Sequence, residues 1–251
     1  MADRVSPSPA HREIHPVRFR VVYALLAVVL GAAVGGLIVL LGRPASSSAS
    51  WSTWKPDGSP GERMQQIATF VGHRYRLGSG RQLVGVVAST ARVGDVPIKY
   101  VALAQGQTRA DISVISANGS VMFQLCGLGR NCAVSEGKPS LARQYLLQRE
   151  SLELALYTFK YLDAKRVITL LPGKPGTRPN YALFLKKEDF AQALDKPLGR
   201  TLRPHAQVTT RTLTAAESTV IRTLDERHLY LFRFEQAPDG SAVLVLASPT
   251  A

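Results

Sequence analysis

The chain has 251 residues, 45% hydrophobic and 20% charged, with Lys+Arg 31 against Asp+Glu 18 and two cysteines. That balance excludes a wholly disordered chain and a uniformly membrane-embedded one, and the length allows one or two domains. Two cysteines and five histidines exclude a disulfide-stapled miniprotein and an all-cysteine zinc site, and the sequence offers no metal set and no cofactor motif.

Residues 1–20 form a polar tail with four Arg and two acids. Residues 21–41 follow without a charge, and as a helix this run spans ~30 Å, about one bilayer core. Arg4, Arg12, Arg18 and Arg20 precede it, and only Arg43 and Lys55 follow before residue 60. The positive-inside rule then places the tail in the cytoplasm and the rest of the chain outside it. A cleaved signal peptide is the rival, with residues 45–50 as its cleavage region, but the apolar run exceeds the usual ~7–15 residues. The expected localisation is the cell membrane, single-pass, with membrane lipid as the first partner. Gly31 and Gly35 form a Gly-x-x-x-Gly face, which permits a homodimer through the membrane helix.

Residues 42–58 are rich in Ser, Gly and Pro and read as a linker. Its Trp51 and Trp54 suit either a headgroup-level anchor or a cap on the domain that follows. That domain, 59–251, opens on Ser59-Pro60-Gly61-Glu62, a capping box with proline at the first helical position. Met64, Ile67, Ala68, Val71 and Tyr75 give the helix one apolar stripe, and Gly78 and Gly80 end it. Strands are predicted over 82–89, 98–104 and 111–116. Asn118-Gly119 predicts a tight hairpin pairing Val114 with Phe123 and Ile112 with Leu125.

Residues 140–162 form a long helix. Leu141, Tyr145, Leu152, Ala155, Leu156 and Phe159 make its buried side, and Arg143, Arg149, Glu150, Glu153 and Lys160 its wet side. Glu153 is expected to make an exposed ion pair with Arg149 four residues before it. Short strands at 167–171 and 181–185 flank a Pro/Gly-rich loop, and a short helix covers 188–194. Thr214-Ala215-Ala216-Glu217 is a second capping box, opening a helix to about Arg227. Strands 229–235 and 242–247 form a closing hairpin around Pro238-Asp239-Gly240, with the all-apolar last strand inside the sheet. No repeat is present, and helices mix with hairpins without β-α-β alternation, so the fold class is α+β.

Chemistry is sparse. Cys126 and Cys132, spaced by five residues and outside the cytoplasm, read as a structural disulfide rather than a redox pair. Ser135 and Lys138 match Ser-x-x-Lys, but no Lys-Thr-Gly triplet follows the motif. No phosphate loop, nucleophile elbow or His-Glu-x-x-His is present. Of the formal net charge of +13, eleven charges lie beyond residue 20. Lys186, Lys187, Arg200 and Arg203 are the candidate basic patch. Outside the cytoplasm its partner is not nucleic acid but lipid headgroups, an anionic envelope polymer or an acidic protein. The expected function is therefore a single-pass membrane-anchored extracytoplasmic domain that binds or scaffolds in a cell envelope of bacterial type. A membrane-anchored envelope hydrolase using Ser135, Lys138 or Glu153 is the alternative.

Overall fold

The computed structural model describes residues 50–104, 106, 108, 111–125, 140–171 and 180–249. Among them no helix is long and apolar enough to cross a membrane. The apolar run 21–41 with Gly31 and Gly35, the tail 1–20, the Cys126/Cys132 pair, Ser135 and Lys138 lie outside the described residues.

Helix α1, Pro60–Arg74, starts as its sequence dictates. The Ser59 hydroxyl accepts from the Glu62 amide, and the Glu62 carboxylate accepts from the Ser59 amide at 2.7 Å. Ile67, Ala68 and Val71 are its buried stripe. The helix stops at Tyr75, earlier than its glycines suggest. Tyr75 turns extended, and its carbonyl accepts from the Leu83 amide at 2.8 Å. Five strands follow: β1 Val86–Thr90, β2 Arg92–Val93, β3 Val96–Ala104, β4 Ile112–Ser116 and β5 Ser120–Leu125. Helix α2 is Leu141–Tyr161, capped by Ser140. Then come β6 Arg166–Leu171, β7 Tyr181–Lys186 and the short α3 Ala191–Leu194, which continues a 3-10 turn over Lys187–Phe190. Helix α4, Ala215–His228, carries the second capping box as expected, and β8 Leu229–Gln236 and β9 Ala242–Ala247 close the chain.

The strands form one mixed sheet in the order β1-β5-β6-β7-β8-β9-β3-β2, with β4 also paired to β3. Helices and a mixed sheet together make the fold α+β, as the sequence implied. The two ends of this order, β1 and β2, are separated in the chain by Ala91 alone. The sheet must therefore curl until its ends approach, as an incomplete barrel does. The Ile98 amide bonds the Ala91 carbonyl at 3.0 Å across that seam.

Curling gives the sheet two apolar faces. Val101, Leu103, Met122, Ile168, Phe184, Leu244 and Leu246 belong to the core inside the curl. The alternate residues Phe123, Leu125, Val167, Leu183 and Leu185 face the helices and share a second core with α1 and α2. Strand β9 lies between β8 and β3, antiparallel to one and parallel to the other, so the all-apolar last strand is inside the sheet.

The predicted β4–β5 hairpin does not form. The turn is there: Gly119 has φ +73° and the Ser120 amide bonds the Ala117 carbonyl at 3.0 Å. But β4 pairs with β3, and β5 is held between β1 and β6. Strand β5 buries residues on both faces, which demands a central place, whereas exposed, Ser-interrupted β4 tolerates an outer one. Asn-Gly fixes the corner but not the partner. Gly119→Ala is expected to lower stability by about 1–2 kcal/mol, because an L side chain is strained at positive φ. Chemical denaturation checks this.

The linker boundary also shifts. The Trp51 carbonyl accepts from the Leu198 amide at 2.7 Å, and its ring meets Tyr157 and Tyr161 edge-on at 5.3 and 5.7 Å. Trp54 stacks on Phe70 at 4.0 Å. Both tryptophans cap the domain, which thus begins near Ser50 rather than at residue 59.

Candidate functional site

The middle of the α2 face expected to be wet is buried, while Lys160 stays exposed and Arg143 half-buried; on the side expected to be buried, Leu141 is exposed and Tyr145 half-buried, because the first turn of α2 lies outside the core. Arg149 is 1% exposed, Glu150 0% and Glu153 1%. Three helices explain why. The end of α1, the middle of α2 and the start of α4 converge, and each brings charge.

Glu153 accepts from Arg74 Nη1 at 2.6 Å, from the Tyr75 hydroxyl at 2.7 Å and from Arg149 Nη1 at 3.2 Å. Arg149 also donates to Glu217 from Nε at 3.0 Å and Nη2 at 2.8 Å. Glu217 serves twice. Its Oε2 closes the α4 capping box on Thr214, while Oε1 takes Arg149 and the Arg203 amide. Two arginines face two glutamates, so the network is neutral, which is the condition for burying charges at tolerable cost. Burial opposes ionisation of Glu217, but the bonds from Thr214 and Arg149 outweigh it and hold the carboxyl below its usual range. Burial and the Glu153 charge push the Tyr75 hydroxyl well up, so it stays protonated and can donate.

Glu150 is different. Both its carboxyl oxygens are buried without a hydrogen-bond partner. Burial first, and the neighbouring Glu153 charge second, push its pKa well above the usual carboxylate range, which favours the protonated form. Of this cluster only the Thr-x-x-Glu box and the Arg149/Glu153 spacing left a sequence signal, and neither signal specifies burial.

Two cavities flank the segment that carries α3. The first, about 580 Å³, is lined by Lys165, Arg166, Lys186 and Lys187, by the acids Glu188 and Asp195, and by Ile115, Ala191 and Leu194 as apolar wall. Strand register makes this cluster. Strands β6 and β7 are antiparallel, with Arg166 opposite Lys186, and the Lys187 amide bonds the Lys165 carbonyl at 3.0 Å. Like charges directly opposed across strands cost stability. Glu188 at 3.8 Å from Lys186, itself 76% exposed, compensates weakly. The second cavity, about 610 Å³, lies over the ion network, with Arg74, Glu153, Tyr157, Trp51, Arg203 and His205 in its lining.

The four candidate patch residues therefore do not share a site. Lys186 and Lys187 line the first cavity, Arg203 the second, and exposed Arg200, in the 3-10 turn Leu198–Arg200, lines neither. Lys165 and Arg166 join the lysines instead. Glu153 does reach a cavity, but both its oxygens are engaged. No group of His, Cys, Asp or Glu among the described residues is arranged to hold a metal ion. No family model, curated protein or solved structure matches the chain.

Proposed function

We propose that this chain is a single-pass membrane-anchored protein whose extracytoplasmic domain binds or scaffolds in the cell envelope, and that it holds an acidic partner at the cavity of Lys165, Arg166, Lys186 and Lys187. The juxtaposition of four cations by strand register carries the reading. An anionic headgroup or polymer segment would relieve the repulsion between Arg166 and Lys186 and gain ~1 kcal/mol per basic residue near an anionic surface. The 21–41 run supports the anchor, and Gly31 with Gly35 supports pairing of two anchors. Only residues 42–50 separate the run from Trp51.

The envelope hydrolase is the weaker reading. Its remaining described candidate, Glu153, accepts from two arginines and a tyrosine, which commits it to the ion network.

Two measurements test the proposal. Protease added outside intact cells is expected to reach residues beyond 50 and not the tail; a mature chain starting within 45–51 would contradict the anchor. Full-length protein in phosphatidylcholine nanodiscs is expected to capture phosphatidylglycerol vesicles at low salt and release them as salt rises. Capture that ignores salt, or none at low salt, would contradict the acidic partner.

A further inference from the structure

We propose that the cleft over the ion network is a second binding site, for a small organic anion: an oxyanion head on an apolar body. The inference does not rest on the membrane anchor or on the lysine cavity.

Its first support is where the buried charges spend their hydrogen bonds. The Arg203 amide donates to Glu217 Oε1 at 3.0 Å, and the Arg203 carbonyl accepts from Arg149 Nη2 at 2.7 Å. The His205 carbonyl accepts from Arg74 Nε at 3.2 Å and Nη2 at 2.8 Å. Three charged side chains from three helices thus clamp the backbone of a segment lying outside any helix or strand. Burying charge is costly, and here it fixes residues 203–205 rigidly, as a preformed site requires.

The second support is what that clamped backbone presents. The exposed Arg203 side chain lines the cleft and has no ion-pair partner among the described residues. His205 lines it too, and its Nε2 is buried with no hydrogen-bond partner. An oxyanion in the cleft accepts from the Arg203 guanidinium. The fixed charges agree: Arg74, Arg149 and Arg203 against Glu153 and Glu217 leave one positive charge unbalanced. Arginine suits such a head, because its planar fork matches carboxylate and phosphate oxygens.

The third support is the wall. Trp51, Phe70, Tyr157, Leu198 and Leu202 line the same cleft, whose volume of about 610 Å³ lies in the range of small-molecule sites. Inorganic phosphate would leave this apolar wall unused, and a neutral aromatic would leave Arg203 unused.

The chain's two tryptophans report on the site directly. Trp51 lines the cleft, and Trp54 stacks on Phe70, which lines it. Full-length protein in phosphatidylcholine nanodiscs is titrated with phenyl phosphate, phenylacetate, inorganic phosphate and benzyl alcohol, following tryptophan emission. A saturable change with phenyl phosphate or phenylacetate is expected, and the tighter of the two identifies the head as phosphate or carboxylate. Inorganic phosphate and benzyl alcohol are expected to bind at least tenfold more weakly. Arg203→Ala is expected to weaken anion binding about tenfold or more without moving the unfolding midpoint, and Arg203→Lys to restore part of it. The Lys186→Glu/Lys187→Glu variant, which tests the other cavity, is expected to keep the response. No saturable response to either anion, an Arg203→Ala response equal to the parent's, benzyl alcohol binding as well as the anions, or loss of the response in the lysine variant would each overturn the proposal.

Discussion

Arg149→Met is expected to destabilise the domain by about 3–5 kcal/mol, a large part of the ~5–15 kcal/mol that holds such a domain folded. Methionine fills the volume, so packing loss is small. The cost is electrostatic. Glu217, 4% exposed, loses two hydrogen bonds and the Arg149 charge that pairs with it, and Glu153 keeps Arg74 and Tyr75. The Arg203 carbonyl also loses its donor. Pairing the substitution with Glu217→Gln removes one stranded charge and is expected to recover part of the loss. Lys186→Met, which breaks an exposed contact of 3.8 Å, is expected to cost at most about 1 kcal/mol. Denaturant midpoints for the four proteins measure this, and an Arg149→Met loss within 1 kcal/mol would mean the network contributes no more than a surface pair.

Glu150→Gln is expected to make the domain more stable than the parent by an amount that grows with pH. Folding raises the pKa of Glu150, chiefly through burial and then through the Glu153 charge. Below the unfolded value, near 4.3, both states hold the proton and no stability is lost. Above it the unfolded chain releases the proton while the folded chain keeps it. The parent then loses ~1.4 kcal/mol per pH unit until the buried acid itself ionises, and beyond that point the loss levels off. Glutamine has no proton to release, so the variant lacks this slope, while every other titrating group is common to both proteins. The difference in unfolding free energy, measured from pH 4 to pH 8, is expected to widen with pH. A constant difference would show that Glu150 titrates alike folded and unfolded.

Both residues mark where the sequence stops being informative. Local rules carried the capping boxes at Ser59 and Thr214, the stripe of α1, the closing hairpin and the interior place of β9. Each is decided by residues a few positions apart or by one strand's own composition. The partner of β4 was not legible, because Asn118-Gly119 specifies a turn and says nothing of the edges that β1 and β6 occupy. The burial of Arg149, Glu150 and Glu153 was not legible either. On a helical wheel charged residues mark a solvated face, and here that face is covered by Tyr75, Glu217 and residues 203–205, which come from distant parts of the chain. The lysine cavity was half legible. Lys186 and Lys187 were visible as a candidate, but only the β6–β7 register brings Lys165 and Arg166 to them, and it leaves Arg200 and Arg203 elsewhere.

That separation supplies the most direct test of the central claim. Two charge reversals remove the same net charge from different places: Lys186→Glu/Lys187→Glu in the cavity, and Arg200→Glu/Arg211→Glu away from it. Capture of phosphatidylglycerol vesicles by the full-length protein in phosphatidylcholine nanodiscs is measured for both at one salt concentration. The lysine variant is expected to lose at least about thirtyfold in affinity, the equivalent of two ~1 kcal/mol contacts, and the arginine variant only a few-fold. Equal losses in the two variants would show that binding follows overall charge alone, and the cavity would not be the site.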